Sequence, residues 1–305
     1  MTRWSRHRNI PFMKTLRRRV CAALSAALIA LSAAPAEANA QQLSSGSSQA
    51  EGVGISLLQS GLGFRLVSVD GMIRPYTVVL PRNYNPMQAY PVIIGFGGWQ
   101  HNAGRARSYE QLERAAGSRA IVVYPQPMDN AWGGAPYART SMHSDIRFIR
   151  AVVGNLGSMH KIDRKRVYVA GLSNGGGLAA ALACHAPDLI AGAASVSGAY
   201  YNPTVSNCAS GRVPMLIMHA DNDGTVHYNG GVRHGAPYRS VDSVFNDFGR
   251  RNGCDMSRIN TNRHGNTAVS TPAGCAARTE LQKVAGGGHT WFPGATDRVV
   301  RFFLG

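Results

Sequence analysis

Hydrophobic and polar positions follow two rhythms along this chain. The runs at 91–95, 120–124, 190–196 and 214–219 are short and almost wholly apolar, as expected of strands buried on both faces of a parallel sheet. Between them apolar residues fall at helical spacing. Ile146, Ile149, Val152 and Val153 predict a helix over 144–156, and further stripes predict helices at 107–117, 240–250 and 297–303. A strand over 166–170 runs into a small-residue helix that ends near Cys184, and 279–284 supplies the last strand. Two more runs, 64–69 and 74–80, flank Asp70-Gly71 and read as a hairpin. Strands alternating with helices imply a mostly parallel central sheet with helices on both faces, and the leading hairpin adds antiparallel strands at one edge.

The first forty residues follow a different pattern. A basic stretch from Met13 to Arg19, an apolar run over 20–34 and the small-x-small site Ala38-Asn39-Ala40 predict a signal peptide over 1–40, for which Met13 gives a more usual starting point. The apolar run is shorter than the roughly twenty residues a bilayer span needs, so no membrane-spanning segment is expected after cleavage. Residues 41–60 are rich in Gln, Ser and Gly and read as a flexible leader. That leaves 61–305 as a single domain, long enough for one large core and too short for two.

Charge and cysteine content narrow the picture. The chain carries 32 Lys/Arg against 16 Asp/Glu, and cleavage after Ala40 removes seven and one of these, leaving a net charge of about +10. The basic residues are scattered, which argues against a nucleic-acid partner and fits attraction to an anionic cell envelope or polysaccharide. Of five cysteines, Cys21 leaves with the signal. The remaining four suit an oxidising compartment and allow three pairings. Local spacing favours Cys184 with Cys208 and Cys254 with Cys275, the second closing a polar loop before the last strand. No Cys-x-x-Cys pair or metal-ligand cluster is apparent, and no cofactor is implied.

Candidate chemistry centres on Gly171-Leu172-Ser173-Asn174-Gly175, between a strand and a helix. There a G-x-S-x-G turn lifts a serine hydroxyl above the sheet with a helix N-terminus beneath it. A serine needs a base to take its proton and an acid to orient that base. In chain order after Ser173 come Asp221 and Asp223, which compete for the role of acid, and then His289, delivered from a strand end by three glycines. The other histidines lack that context and default to structural or solvent-facing roles. Backbone N–H groups to hold an oxyanion are expected from Asn174, directly after the nucleophile, and from Gly98, in the loop after the 91–95 strand. Trp99, Trp132 and Trp291 lie in strand-end loops and are candidates to line a substrate cleft.

Taken together, Phe96-Gly97-Gly98-x-Gln100, Tyr124-Pro125, Gly171-Leu-Ser-Asn-Gly-Gly176, His219-Ala-x-x-Asp223, Arg251-Asn-Gly-Cys254, Gly274-Cys275 and Gly286-Gly-Gly-His-Thr-Trp291 resemble the secreted polyhydroxybutyrate depolymerase and feruloyl esterase family. The resemblance spans roughly 64–294. It implies an α/β-hydrolase fold, a secreted serine esterase working through an acyl-enzyme, an ester substrate of a polysaccharide or cell-envelope component, Asp223 rather than Asp221 as the acid, and a Cys254–Cys275 bridge. Two departures stand out: Phe96 where relatives carry His before the oxyanion glycine, and Phe292 inserted before Pro293-Gly294. A cell-envelope acyltransferase would use the same triad, and a non-catalytic binding protein on the same scaffold is disfavoured by three reactive residues in order. Sixteen residues follow His289, room for one closing helix, so soluble esters are expected over crystalline polymer.

Overall fold

The computed structural model describes residues 62–305, so the signal peptide and leader expected over 1–60 lie outside the described residues. The described residues open with the expected hairpin, β1 (Leu62–Val69) and β2 (Met72–Val79), turning at Asp70-Gly71. There follow β3 (Tyr90–Phe96), α1 (Ala103–Glu110), α2 (Leu112–Ala116), β4 (Ile121–Pro125), α3 (Met142–Met159), β5 (Ile162–Leu172), α4 (Asn174–His185), β6 (Gly192–Val196) and β7 (Met215–Ala220). After a small hairpin, β8 (Gly231–Arg233) and β9 (Ala236–Tyr238), come α5 (Val241–Arg251), β10 (Asp255–His264), β11 (Thr267–Ala273), β12 (Thr279–Val284) and α6 (Ala295–Leu304).

Ten strands form one sheet in the order β1-β2-β4-β3-β5-β6-β7-β12-β11-β10. The six strands from β4 to β12 run parallel, with antiparallel pairs at both edges. The apolar strands alternate between two cores. Val92 and Ile94 of β3, Ile121 and Val123 of β4, and Met215 and Ile217 of β7 pack under α3, α4 and α5. Their neighbours Ile93, Val122 and Leu216 face α1, α2 and α6. With period-two side chains and helices on both sides, every position must be apolar, which is why these strands show no alternation.

Three expectations change. The helix expected over 107–117 starts earlier, capped by Asn102 on the Arg105 amide, and breaks at Gln111, which adopts a left-handed conformation with φ 47°. β5 extends back to Ile162 through the charged stretch 163–166, exposed from Arg164 to Arg166, which carries no hydrophobic signal. The polar loop expected between Cys254 and Cys275 is instead the hairpin β10–β11, which continues the sheet past β12. Its outer strand is exposed at eight consecutive positions, so no apolar rhythm marks it. Both expected bridges are formed, Cys184–Cys208 and Cys254–Cys275.

Polar groups buried in the cores are mostly paired. Arg74 on β2 and Asp145 on α3 meet at 2.6 Å with side chains 1% and 0% exposed, and the Arg74 guanidinium lies 3.7 Å above the Phe148 ring. Glu110, at the break between α1 and α2, is fully buried and neither carboxyl oxygen has a partner. Burial, reinforced by the charge of Glu113, holds its carboxyl well above the usual range. The folded state therefore keeps this proton to higher pH than the unfolded state does, so its contribution to stability is complete below about pH 4 and is lost as pH rises. Thermal unfolding of Glu110→Gln measured from pH 4 to 9 is expected to gain on the wild type steadily with pH, at up to about 1.4 kcal/mol per pH unit. Parallel curves for the two proteins would show that Glu110 does not titrate in this way.

Candidate active site

The serine turn depends on crowding that only glycine allows. β5 passes into α4 through Ser173, whose φ of 54° and ψ of −115° lie outside the regions an ordinary residue prefers. A side chain on Gly171 would collide with the Gly175 carbonyl, and one on Gly175 with the Phe96 carbonyl at the end of β3. With both left bare, the serine turn and the loop after β3 lie against each other. The Ser173 amide donates to Val196 O at 2.8 Å and its carbonyl accepts from Ala199 N at 3.0 Å, which fixes the turn to the end of β6.

His289 and Asp223 arrive from the ends of β12 and β7. The imidazole Nε2 is 2.9 Å from Ser173 Oγ, and Nδ1 is 2.7 Å from Asp223 Oδ2. Asp223 is buried, and its other oxygen accepts from the amides of Thr225 and Val226, each at 2.8 Å. Burial alone would raise its carboxyl, but the hydrogen bonds from His219 and His289, the nearby imidazole charge and the Val226 amide outweigh it and hold Asp223 well below the ordinary carboxylate range. It is thus an ionised acceptor that keeps a proton on Nδ1 and leaves Nε2 free to take one from Ser173.

Asp221 does not reach His289. Its Oδ1 accepts from the Gly286 amide at 3.0 Å, and Asn222 Oδ1 accepts from the Gly288 amide at 2.9 Å. These two side chains shape the glycine loop that carries His289. The loop is also tied beyond the histidine, where Ser197 Oγ donates to Thr290 O and Tyr109 Oη meets Thr290 Oγ1 at 2.9 Å.

Gly98 stands beside Ser173, close enough that a Cβ built on it would lie 3.4 Å from the serine Cβ. The Asn174 amide belongs to the first turn of α4, where N–H groups have no partner within the helix and the helix dipole is positive. The loop that bears Gly98 and the first turn of α4 thus flank the Ser173 hydroxyl. The Asn174 side chain grips the backbone of Trp132, accepting from its N–H at 2.7 Å and donating to its carbonyl at 3.0 Å. The Trp132 indole in turn donates to Gly97 O at 3.1 Å. Phe96, the first departure from the family pattern, is fully buried and meets Trp132 edge-on at 5.2 Å. Phe292, the second, is buried against Gly287.

The expected cleft tryptophans separate. Trp99 is 38% exposed beside Gly98. Trp132 is fully buried, and Trp291 is 8% exposed with its indole N–H bonded to Thr296 at 3.0 Å. A cleft-lining role for Trp132 and Trp291 is therefore replaced by support of the loops from within, because each ring is enclosed and its donor is used internally. Sequence reasoning gives His219 a default structural role, yet its Nε2 lies 2.8 Å from Val226 O and 3.2 Å from Asp223 Oδ2, closing the loop that carries Asp223. Its place four residues before Asp223, at the end of a strand, was the available signal. Tyr137 lies against Trp99 with ring centroids 4.6 Å apart and planes tilted by 32°, a contact that no sequence signal marks. Among the described residues no group of His, Cys, Asp and Glu could hold a metal ion, and no helix is long and apolar enough to cross a membrane.

Residues 129–227 match the family described as Esterase PHB depolymerase. The presumed esterase NocK of Nocardia uniformis subsp. tsuyamanensis is 30% identical over 234 residues, which cover 64% of this chain and 68% of that protein. Feruloyl esterase B of Piromyces equi is 28% identical over 229 residues, covering 71% of this chain and 42% of the relative, so the chain spans less than half of that protein. Among solved structures, an acetyl xylan esterase from Aspergillus awamori aligns with a TM-score of 0.63 at 16% identity, covering 79% of this chain and 98% of the other. That identity carries a likeness of fold.

The two aspartates make different contacts, and their variants should differ accordingly. With initial rates on a soluble ester as the readout, Asp223→Asn is expected to lower kcat by several orders of magnitude, since an amide disrupts the imidazole's tautomer and orientation. Asp221→Asn keeps an oxygen for the Gly286 amide and is expected to stay within about tenfold of wild type. The reverse ranking would move the acid to Asp221.

Proposed function

Because the chain belongs to the PHB depolymerase esterase family and has the α/β-hydrolase architecture, and is thus a carboxylic ester hydrolase, we propose that it works as a serine esterase through an acyl-enzyme. The observation that carries this reading is His289 bridging Ser173 and Asp223 with both ring nitrogens, at 2.9 and 2.7 Å. Ser173 Oγ attacks the ester carbonyl as His289 Nε2 takes its proton. The Asp223 carboxylate holds the imidazolium from the other side. Charge that develops on the carbonyl oxygen falls to the amides of Gly98 and Asn174, aided by the N-terminus of α4. Collapse of the tetrahedral intermediate breaks the bond to the alcohol, which leaves with the proton from His289. Water then enters, gives a proton to His289 and attacks the acyl carbon. Return of that proton to Ser173 Oγ releases the acid and restores the enzyme.

Substrates of this reading are soluble short-acyl or hydroxycinnamoyl esters, including those on polysaccharides. Support comes from the names of the relatives, a feruloyl esterase and an acetyl xylan esterase. Secretion is part of the same proposal. It rests on the signal pattern over 1–40 together with the two bridges, which suit an oxidising compartment.

A fluorophosphonate probe followed by peptide mapping is expected to label Ser173, and Ser173→Ala to lose labelling and at least about 10³-fold in turnover with its thermal melt unchanged. Stopped-flow measurement with p-nitrophenyl acetate should show a burst if deacylation is slower than acylation. Product analysis with and without a sugar acceptor separates hydrolysis from acyl transfer. Full turnover by Ser173→Ala would overturn the mechanism.

A further inference from the structure

The crossover from β7 to α5 carries the small hairpin β8–β9, outside the main sheet. Its turn is formed by His234 and Gly235, both left-handed at φ 52° and 74°. The exposed His234 ring stands edge-on to Trp99 at 5.0 Å and to Tyr137 at 4.9 Å. Trp99 and Tyr137 lie at 4.6 Å with an interplanar angle of 32°. The contacts continue inward, from Tyr137 to Tyr201 at 6.2 Å and from Tyr201 to Tyr238 at 5.9 Å. A backbone bridge between Tyr201 and Tyr238 ties the base of the hairpin to the loop after β6. Loops from the ends of β3, β4, β6 and β7 thus meet in one strip of rings beside the Gly98 amide.

Ordinary core packing does not account for the outer end of this strip. Tyr201 and Tyr238 are buried, but Trp99 is 38% exposed and His234 sits at a solvent-facing turn. Three rings held in mutual contact at the surface, from three separate loops, form a preorganised aromatic face. Its position relative to the chemistry is set by one covalent step. Trp99 follows Gly98 directly in the chain, and Gly98 lies against Ser173, so the strip begins one residue from the backbone that packs on the serine.

We propose that Trp99, Tyr137 and His234 form a stacking subsite for a flat ring borne by the ester substrate, with the β8–β9 hairpin as its outer wall. The proposal rests on the reading of Ser173 as the nucleophile and adds Tyr137 and His234 as specificity-determining residues. A phenyl ring stacks through its π face and a pyranose through its C–H face, so the same strip takes either an aromatic acyl group or the sugar of the alcohol.

The test uses the mature chain and the variants Trp99→Leu, Tyr137→Leu, His234→Ala and His234→Phe. Each is assayed on methyl ferulate, whose ring is in the acyl group, on an acetylated xylo-oligosaccharide, whose ring is in the alcohol, and on methyl butyrate, which has none. The readout is the ratio of kcat/KM for a ring-bearing ester to that for methyl butyrate. Trp99→Leu, Tyr137→Leu and His234→Ala are each expected to lower that ratio by about tenfold for one of the two ring-bearing esters, chiefly through KM, and the ester that responds identifies which half of the substrate supplies the ring. His234→Phe, which keeps a ring on the same left-handed turn, is expected to hold the ratio near wild type. Ratios unchanged in all variants, or His234→Phe falling as far as His234→Ala, would overturn the subsite. A wild-type chain that hydrolyses none of the three esters would instead remove the nucleophile reading on which the subsite rests.

Discussion

Contact between two backbones organises this molecule. The Phe96 carbonyl at the end of β3 presses against Gly175 in the first turn of α4, and Gly171 at the end of β5 presses against the Gly175 carbonyl. No side chain intervenes, so the loop that bears Gly98 and the turn that bears Ser173 approach as closely as main chains can. The strained φ and ψ of Ser173 are the conformational cost of that approach, and the packing of α4 has to offset it. Every helical residue of α4 from Asn174 to Cys184 is buried, and most are Gly or Ala, so the helix sits tightly on β5 and β6. A strained turn persists when its surroundings over-determine it, and here they do.

Support reaches this contact along two routes. On one side the Asn174 amide clasps Trp132, and the next residue, Gly133, donates to Asp145 Oδ2 at 2.6 Å. Asp145 also accepts from Thr140 and pairs with the buried Arg74 of the edge hairpin. Removing either member of that pair would strand a buried charge, which typically costs about 3–5 kcal/mol. The pair therefore does more than hold the hairpin to α3: it fixes the loop on which the oxyanion side of the site leans. On the other side Asp221 and Asn222 at the end of β7 hold the glycine loop after β12, while Thr296 accepts from the Trp291 indole and donates to the Glu110 carbonyl. Neighbouring strand ends thus position acid and base relative to each other before any substrate arrives.

Legibility in the sequence followed the physics that each element obeys. Strands covered on both faces must be apolar throughout, so β3, β4, β6 and β7 could be read directly. Ser173 and His289 could be singled out because the glycines around them have no other evident purpose. Asp223 could not be separated from Asp221 on residue type alone, since both are carboxylates at one strand end; the family pattern separated them, and the structure places Asp223 against the imidazole. The hairpin β10–β11 stayed hidden because an exposed edge strand needs no hydrophobic rhythm, and Asp255–His264 has none. Trp132 and Trp291 were misread for a related reason. A tryptophan beside a catalytic motif has the same sequence signature whether it faces the cleft or braces the loop from behind, and only the partner of its indole N–H distinguishes the two.

Three further parts that escaped sequence reading share a location. Tyr137, His234 and the hairpin β8–β9 all belong to loops beyond the C-terminal ends of strands, away from the repeated packing that fixes α4 and the central sheet. The proposed reaction tolerates little variation in geometry, because it needs Ser173, His289 and Asp223 to meet within hydrogen-bond reach, and that demand leaves a mark in glycines and motif spacing. The proposed subsite asks only that some ring stand near Trp99, and rings from many loop sequences meet that need. A fold of this kind can keep one mechanism while its loops change partner, so specificity is written in contacts between loops rather than in any motif. In the subsite proposed for this chain, the contact between His234 and Trp99 is the outermost. It joins the loop after Asp223 to the loop that bears Gly98, so on the proposed reading a ring bound there would touch both sides of the site at once.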